Sequence, residues 1–387
     1  MTLTFFTNYI HHHQIPLADV FYQQLGTDYR FVAMEELPDW LIKGGYDPTI
    51  DRPYIIRAYE SSEAMCVAKR LMLESDVVIH AYGPRFELIE RKKSNLLTFE
   101  YSERWNKRGG LYLFDPRKLF NIFHNHFVFR KSKVYMLCAS AFTANDVRFY
   151  NCYKHKCLKW GYFSKTEDLN AGSLAKLRPE NLKCEPKIMW CARFLGCKHP
   201  ELPIKLAAKL KAKGYKFHIN MFGSGEELEP TKLLAKKLGV EDVVSFCGNL
   251  PNEDILQQMR EHAIFLFTSD KGEGWGAVLN ESMSNGCAVV ASDMIGSVPF
   301  LIKDGVNGLI FKSGNIDSLV AKCEFLLNNP DKRIKIGKNA ISTMTIEWSP
   351  QNAAQRFVIL AESLLRGSFA EFKEGPCSKA DSYTSKL

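Results

Sequence analysis

The 387-residue sequence predicts an α/β protein of two Rossmann-like, doubly wound domains facing across a cleft. Three observations predict it. Short apolar runs alternate with helix-length segments, which is the rhythm of βαβ units. The runs are apolar throughout rather than alternating in and out, as strands covered on both faces require. A polar stretch over 161–186 with Gly, two prolines and no apolar period divides the alternation into two halves.

In the first half the strand-like runs are LTFFT at 3–7, YRFVA at 29–33, DVVIH at 76–80, LLTFE at 96–100 and KVYMLC at 133–138. The second half repeats the pattern. Strands are expected at 187–192, 217–222, 243–247, 263–268 and 288–292, with helices at 201–213, 226–238, 252–261 and 277–286. Residues 1–165 therefore form one domain, 166–186 a linker and 187–348 a second domain. SPQNAAQRFVILAESLL carries a Ser-Pro start and an i, i+3, i+4 apolar stripe, so 349–366 is a final helix packing back towards the first domain. The polar run 367–387 is expected to be flexible.

Composition narrows the function. At 46% hydrophobic and 24% charged residues the chain is neither disordered nor fibrous. Its longest apolar stretches fall far short of the ~20 residues of a membrane span, and MTLTFFTNYI lacks a basic n-region. Eleven cysteines without C-x-x-C spacing suit a reducing compartment, so the expected location is the cytoplasm, with the cytoplasmic face of a membrane as the second choice. The net charge of +8 is concentrated: residues 101–165 hold 13 Lys+Arg against 3 Asp+Glu. That excess suits an anionic visitor, whether nucleic acid, membrane or phosphorylated substrate; a solvated basic face is the plain alternative.

In open parallel sheets, ligands bind beyond the carboxyl ends of strands. The loop after 263–268 reads K-G-E-G-W-G, with Gly272, Gly274 and Gly276 bracketing Glu273 and Trp275, and the next helix carries Glu281. Glycines let backbone approach a ligand, a helix start suits a phosphate, and two carboxylates could each hold a sugar diol. Equally, Glu in a first helical turn favours the macrodipole, and glycines make turns. After 187–192 come Arg193 and Lys198, placed to neutralise a diphosphate, although cations on loops are commonplace. The turn Gly223-Ser224-Gly225-Glu226 is half a dinucleotide fingerprint, with Leu228 where a third glycine belongs, so a tight turn suffices to explain it.

Taken in order, Arg193…Lys198, MFGSGEE, FCGNLPNEDI at 246–255, Glu273-Gly-Trp-Gly-x4-Glu281, Gly296-Ser-Val-Pro299 and Asp304-Gly-Val-Asn-Gly308 resemble retaining glycosyltransferases of family 4, which have the two-domain GT-B fold. The resemblance covers roughly 185–350. It implies that Arg193 and Lys198 bind the donor diphosphate and act catalytically, and that Glu281 binds the ribose. Glu273, the third catalytic residue, would hold the sugar with the backbone of Gly274, Trp275 and Gly276, and Gly248, Asn249 and Leu250 would lie near the base. The first domain would take the acceptor.

The first half departs from the family. Where many members have a glycine-rich loop after strand one, this chain has His11, His12 and His13; where many have a histidine after the strand matching LLTFE, it has Glu100, followed by Glu103. Acceptor contacts are therefore sought among His11, His12, His13, His80, Glu100 and Glu103, with Glu100 or Glu103 able to serve as base if burial raises its pKa. Cations at 104–133 alternate with Trp105, Tyr112, Phe114, Phe120, Phe123, Phe127 and Phe129. They suit a membrane interface, or else the phenylalanines at 120, 123 and 127 are a helix's core stripe.

The resulting expectation is a cytoplasmic, metal-independent, retaining sugar transferase. Its donor would be a nucleotide sugar, UDP-linked, and its acceptor a glycan or lipid-linked molecule of surface polysaccharide or glycoconjugate assembly. Anionic membrane is a peripheral contact, and neither nucleic acid nor a cofactor is expected. No Asp-x-Asp occurs. The rivals are a GT-B-fold nucleotide-sugar epimerase and a catalytically silent GT-B partner subunit; a phosphorylase would need a pyridoxal lysine, for which there is no motif.

Overall fold

The computed structural model describes residues 1–42, 46–107, 109–165 and 186–385. The segment expected to be the linker lies, apart from Pro186, outside the described residues. Two units emerge: one of Met1–Lys165 with Glu347–Tyr383, the other holding the described residues from Pro186 to Ile346.

The first unit is a parallel sheet of seven strands: β1 (Leu3–Thr7), β2 (Tyr29–Ala33), β3 (Ile55–Arg57), β4 (Val77–His80), β5 (Leu97–Ser102), β6 (Val134–Cys138) and β7 (Cys157–Lys159). Their order is β3-β2-β1-β4-β5-β6-β7. The second sheet has six: β8 (Lys187–Cys191), β9 (His218–Phe222), β10 (Val244–Gly248), β11 (Ile264–Phe267), β12 (Ala288–Ser292) and β13 (Leu309–Phe311), ordered β10-β9-β8-β11-β12-β13. Every pairing between these strands is parallel. Both units are thus the doubly wound α/β type that the apolar, non-alternating runs predict.

In the second unit the helices Glu201–Ala212 and Ile316–Asn328 pack on the sheet through Leu206, Leu210, Leu319 and Cys323, all fully buried beside Ile188, Ile219, Ile264 and Val290. In the first, Phe6, Val32 and Val78 meet Ala68 and Met72 of the helix Ser62–Glu74, which Ser61 caps by accepting the Ala64 N–H at 3.0 Å.

The final helix, Pro350–Leu365, belongs to the first unit. Ser349 caps it by accepting the Asn352 N–H at 3.1 Å. Phe357 anchors it, with ring centroids 5.5 Å from Phe21, 4.7 Å from Phe99 and 5.6 Å from Trp160. The expectation of a flexible tail over 367–387 needs correcting for the described part. The Lys159 N–H donates to Ser378 O at 2.7 Å, while the N–H groups of Cys377 and Ala380 donate to Lys159 O and Cys157 O, each at 2.9 Å. The edge strand β7 presents unpaired backbone groups, and this segment satisfies them in an antiparallel bridge, Leu158 opposite Lys379. No helix among the described residues is long and apolar enough to cross a membrane.

Phe357→Ala should cost about 3–5 kcal/mol of stability in denaturant unfolding, since a fully buried ring among three others leaves a cavity. A loss below about 1 kcal/mol would mean that the returning helix is not held to the first unit by this ring.

Candidate functional site: the carboxyl ends of β8 and β11

The chain enters the second sheet at β8, winds outward through β9 and β10, then returns to place β11, β12 and β13 on the other side. The order reverses between β8 and β11. Crossovers leave in opposite directions there, so the loops after these two strands border a crevice that no crossover covers. They are the loops carrying Arg193, Lys198 and Glu273.

The two loops are stitched together. Trp190 Nε1 donates to Thr268 Oγ1 at 2.8 Å, Thr268 Oγ1 donates to Lys198 O at 2.6 Å, and the Asp270 N–H donates to Cys197 O at 3.0 Å. Across this seam the Lys198 ammonium pairs with the Glu273 carboxylate, which also accepts from Ser269 Oγ at 3.1 Å. His199, at a left-handed φ of 52°, bridges Glu201 (3.0 Å) and Asp270 (3.2 Å). The Glu201 hydrogen bond, with the Asp270 contact, raises its pKa despite partial burial.

Glycines make these approaches physically available. Gly223 and Gly225 have φ of 128° and 150°, and a Cβ there would lie 2.0 Å from Ala192 O and 2.4 Å from Phe194 O. The Phe194 N–H in turn donates to Ser224 O at 2.8 Å. The Gly-Ser-Gly turn therefore clamps the residues on either side of Arg193, whose side chain is exposed two residues past β8. Gly276, at φ of 82°, passes so close to Phe267 that a Cβ would sit 2.3 Å from Cζ.

Glu281 lies in the first turn of the helix Val278–Ser284 and is buried. Burial pushes its carboxyl up to about 7. Cys191, at the end of β8, has its thiol pKa pushed up to about 12 by burial and, secondarily, by the charge of Glu281, which marks this carboxylate as a neighbour of the strand end. Trp275 is fully buried and donates Nε1 to Asn280 Oδ1 at 2.8 Å, so only its backbone can face a ligand. Gly248, the last residue of β10, forms an exposed lip with Asn249 and Leu250, tied to the Gly-Ser-Gly turn by Gly223 N–H to Gly248 O (2.8 Å) and Asn249 Nδ2 to Ser224 Oγ (2.9 Å).

The first unit has its own order reversal, between β1 and β4. His11, His12 and His13 follow β1 and gather around Tyr46, with His12 and His13 centroids 3.9 Å apart and His12 4.8 Å from Tyr46. Burial, then the neighbouring His12, pushes His11 down to about 3; burial likewise lowers His12, and His13 well below the ordinary value. The cluster is neutral at pH 7, which suits hydrogen bonding rather than phosphate neutralisation.

Glu100 needs correcting as a base. Burial alone would raise its pKa, but the Lys92 ammonium and His80 imidazole outweigh it and hold the carboxyl well below the usual range. Lys92 pairs with it directly, and His80 Nδ1 donates to Oε2 at 2.8 Å. A carboxylate so held is a poor proton acceptor and instead fixes His80. Glu103 is occupied by Lys107 Nζ at 2.6 Å and Tyr162 Oη at 3.3 Å. Phe120 and Phe123 are exposed, so they are not the core stripe; of that helix only Ile122 is buried. Sequence reasoning missed Lys92, His199, Ser269 and Asp270. The Ser-Asp pair that opens the second loop was the available signal for the last two.

Residues 176–343 match the family model described as Glycosyl transferases group 1. The chain is 29% identical over 160 residues to D-inositol 3-phosphate glycosyltransferase of Corynebacterium kroppenstedtii, covering 40% of this chain and 35% of that protein. It is 28% identical over 153 residues to poly(glycerol-phosphate) alpha-glucosyltransferase of Bacillus subtilis, covering 40% and 20%. The matched part thus spans about a third of the length, or less, of these relatives. Among solved structures, a glycosyltransferase from Rickettsia africae superposes with a TM-score of 0.67 at 16% identity, covering 95% of this chain and 99% of that one. Anabaena HepE in complex with UDP gives 0.66 at 14% identity, covering 94% and 100%. The stretch 176–343, most of the second unit, is thus similar to the glycosyl transferases group 1 family.

Proposed function

We propose that the protein is a retaining glycosyltransferase that moves a sugar from a nucleotide-sugar donor, UDP-linked, to a glycan or lipid-linked acceptor of surface polysaccharide or glycoconjugate assembly, without a metal. One observation carries the reading: at the order reversal of the second sheet, a cation-bearing loop and a glycine-carboxylate loop are stitched side by side, with Lys198 on Glu273 and Glu281 buried near the end of β8. The uridine base is supported by the UDP held in the HepE structure, and the acceptor class by the poly(glycerol-phosphate) named for the Bacillus relative.

The chemistry follows from charge. As the anomeric C–O bond breaks, negative charge grows on the leaving diphosphate. Arg193 and Lys198, fixed at that end of the crevice, stabilise the transition state more than the ground state, and this is the work a metal does elsewhere. Before the donor arrives, Lys198 and Glu273 neutralise each other. The incoming diphosphate competes for the ammonium and frees Glu273 to accept hydrogen bonds from the sugar. Glu281 as a carboxylate accepts from both ribose hydroxyls. Attack from the same face as departure, through an oxocarbenium-like ion pair, retains configuration without a side-chain nucleophile.

Arg193→Ala should lower kcat for donor turnover by about 10²–10³ with the circular dichroism spectrum unchanged. Full turnover by the folded variant would remove Arg193 from the reaction.

A second test uses pH. UDP-glucose carries a constant charge near neutrality, so its affinity in calorimetry should follow Glu281: weak below pH 7, where the carboxyl is protonated and accepts fewer hydrogen bonds, and rising to a plateau above it. The rise approaches tenfold per pH unit at most. Glu281→Gln should flatten the curve; a flat curve in the unaltered protein contradicts the ribose role.

A further inference from the structure

We propose that the first unit docks on an anionic lipid bilayer through the face made by the turn Gly110–Phe114 and the helix Pro116–Asn125, a surface independent of the donor crevice reading. The helix buries Ile122 and turns Phe120 (63% exposed) and Phe123 (49%) outward. Leu111 (91%) and Phe114 (61%) continue the apolar surface, and Phe114 meets the exposed ring of Phe149 at 6.1 Å between centroids. At the other end, Arg85 donates to Asn121 at 3.3 Å and Asn125 at 3.2 Å, which brings alongside Phe86, the first helical neighbour of Arg85 and 71% exposed. Large apolar side chains this exposed on adjoining elements are of the kind that marks an interaction site.

Charge selects the occupant. Arg117 on the same helix and Arg130, Lys131 and Lys133 just beyond it in the chain are exposed, and Arg130 lies over the Phe127 ring at 4.0 Å. Between residues 104 and 145 the sequence has one acid, Asp115, and its carboxylate is spent capping the helix, accepting the Lys118 N–H at 3.0 Å. Along this stretch the exposed charges are therefore of one sign, while Glu87 and Glu90, each beside a lysine, stand on the Phe86 helix. A protein partner ordinarily meets a mixed rim, whereas a bilayer of anionic lipid offers an apolar layer for rings beneath a sheet of phosphates for Lys and Arg. The contact is peripheral, since no helix among the described residues can span.

The test is flotation of the full chain with phosphatidylcholine vesicles, with and without phosphatidylglycerol. The protein should float with phosphatidylglycerol at low salt, stay behind with phosphatidylcholine alone, and be released at high salt. The double variant Phe120→Ser/Phe123→Ser, altered only at exposed positions, should keep its melting temperature and partition about tenfold more weakly; Lys131→Glu/Lys133→Glu should do the same. Failure to float at low salt overturns the proposal. So does unchanged binding by the Phe variant. Self-association of the unaltered chain in sedimentation, lost in the Phe variant, would make the face an interface between copies and overturns it too.

Discussion

The second unit depends on a constraint of parallel sheets. A strand that begins a sheet in its middle must send successive crossovers first one way and then the other, and between the two directions the strand ends stay uncovered. Here that strand is β8, and its neighbour across the reversal is β11. Arg193, Lys198 and Glu273 sit on the loops leaving these strands, and Glu281 on the helix that follows the second of them. Gly223 and Gly225 let the turn after β9 press on the backbone around Arg193, and Gly276 lets the turn after β11 cross Phe267. Side chains at any of these three positions would separate loops whose contact sets the spacing of the charges.

Within that frame the electrostatics are economical. Lys198 and Glu273 are mostly buried and opposite in sign, so the resting crevice carries no uncompensated charge at this point. Glu281 resolves the cost of burial differently, by a carboxyl whose pKa rises to about 7. On the proposed reading both arrangements keep groups ready for a donor: the ammonium for its phosphates and the carboxylates for hydrogen bonds from its hydroxyls. The first unit shows the contrasting case. Lys92, Glu100 and His80 satisfy one another completely enough that the carboxylate is committed to structure.

Much of this was legible in the sequence because burial on both faces forces strands into unbroken apolar runs; Leu3–Thr7, Tyr29–Ala33 and Ala288–Ser292 fall where those runs stand. The three-residue strands Ile55–Arg57, Cys157–Lys159 and Leu309–Phe311 were not, since edge strands this short leave no apolar signature. Nor was the pairing of the tail with β7, because main-chain groups make it. At the site, Arg193, Lys198, Glu273 and Glu281 could be found because strand ends and glycines announce them. The partnership of Glu100 with Lys92 could not, since Lys92 stands in a basic run on the helix Arg85–Lys93 and reads as a solvated face.

The central claim is that the loops after β8 and β11 grip a nucleotide sugar by its diphosphate and its two sugar rings. A crystal structure of the protein soaked with UDP-glucose measures this most directly. The account predicts the diphosphate on Arg193 and Lys198, the ribose hydroxyls on Glu281, and Glu273 turned from Lys198 to the glucose. Nucleotide bound elsewhere, with the Lys198–Glu273 pair still closed, would contradict it.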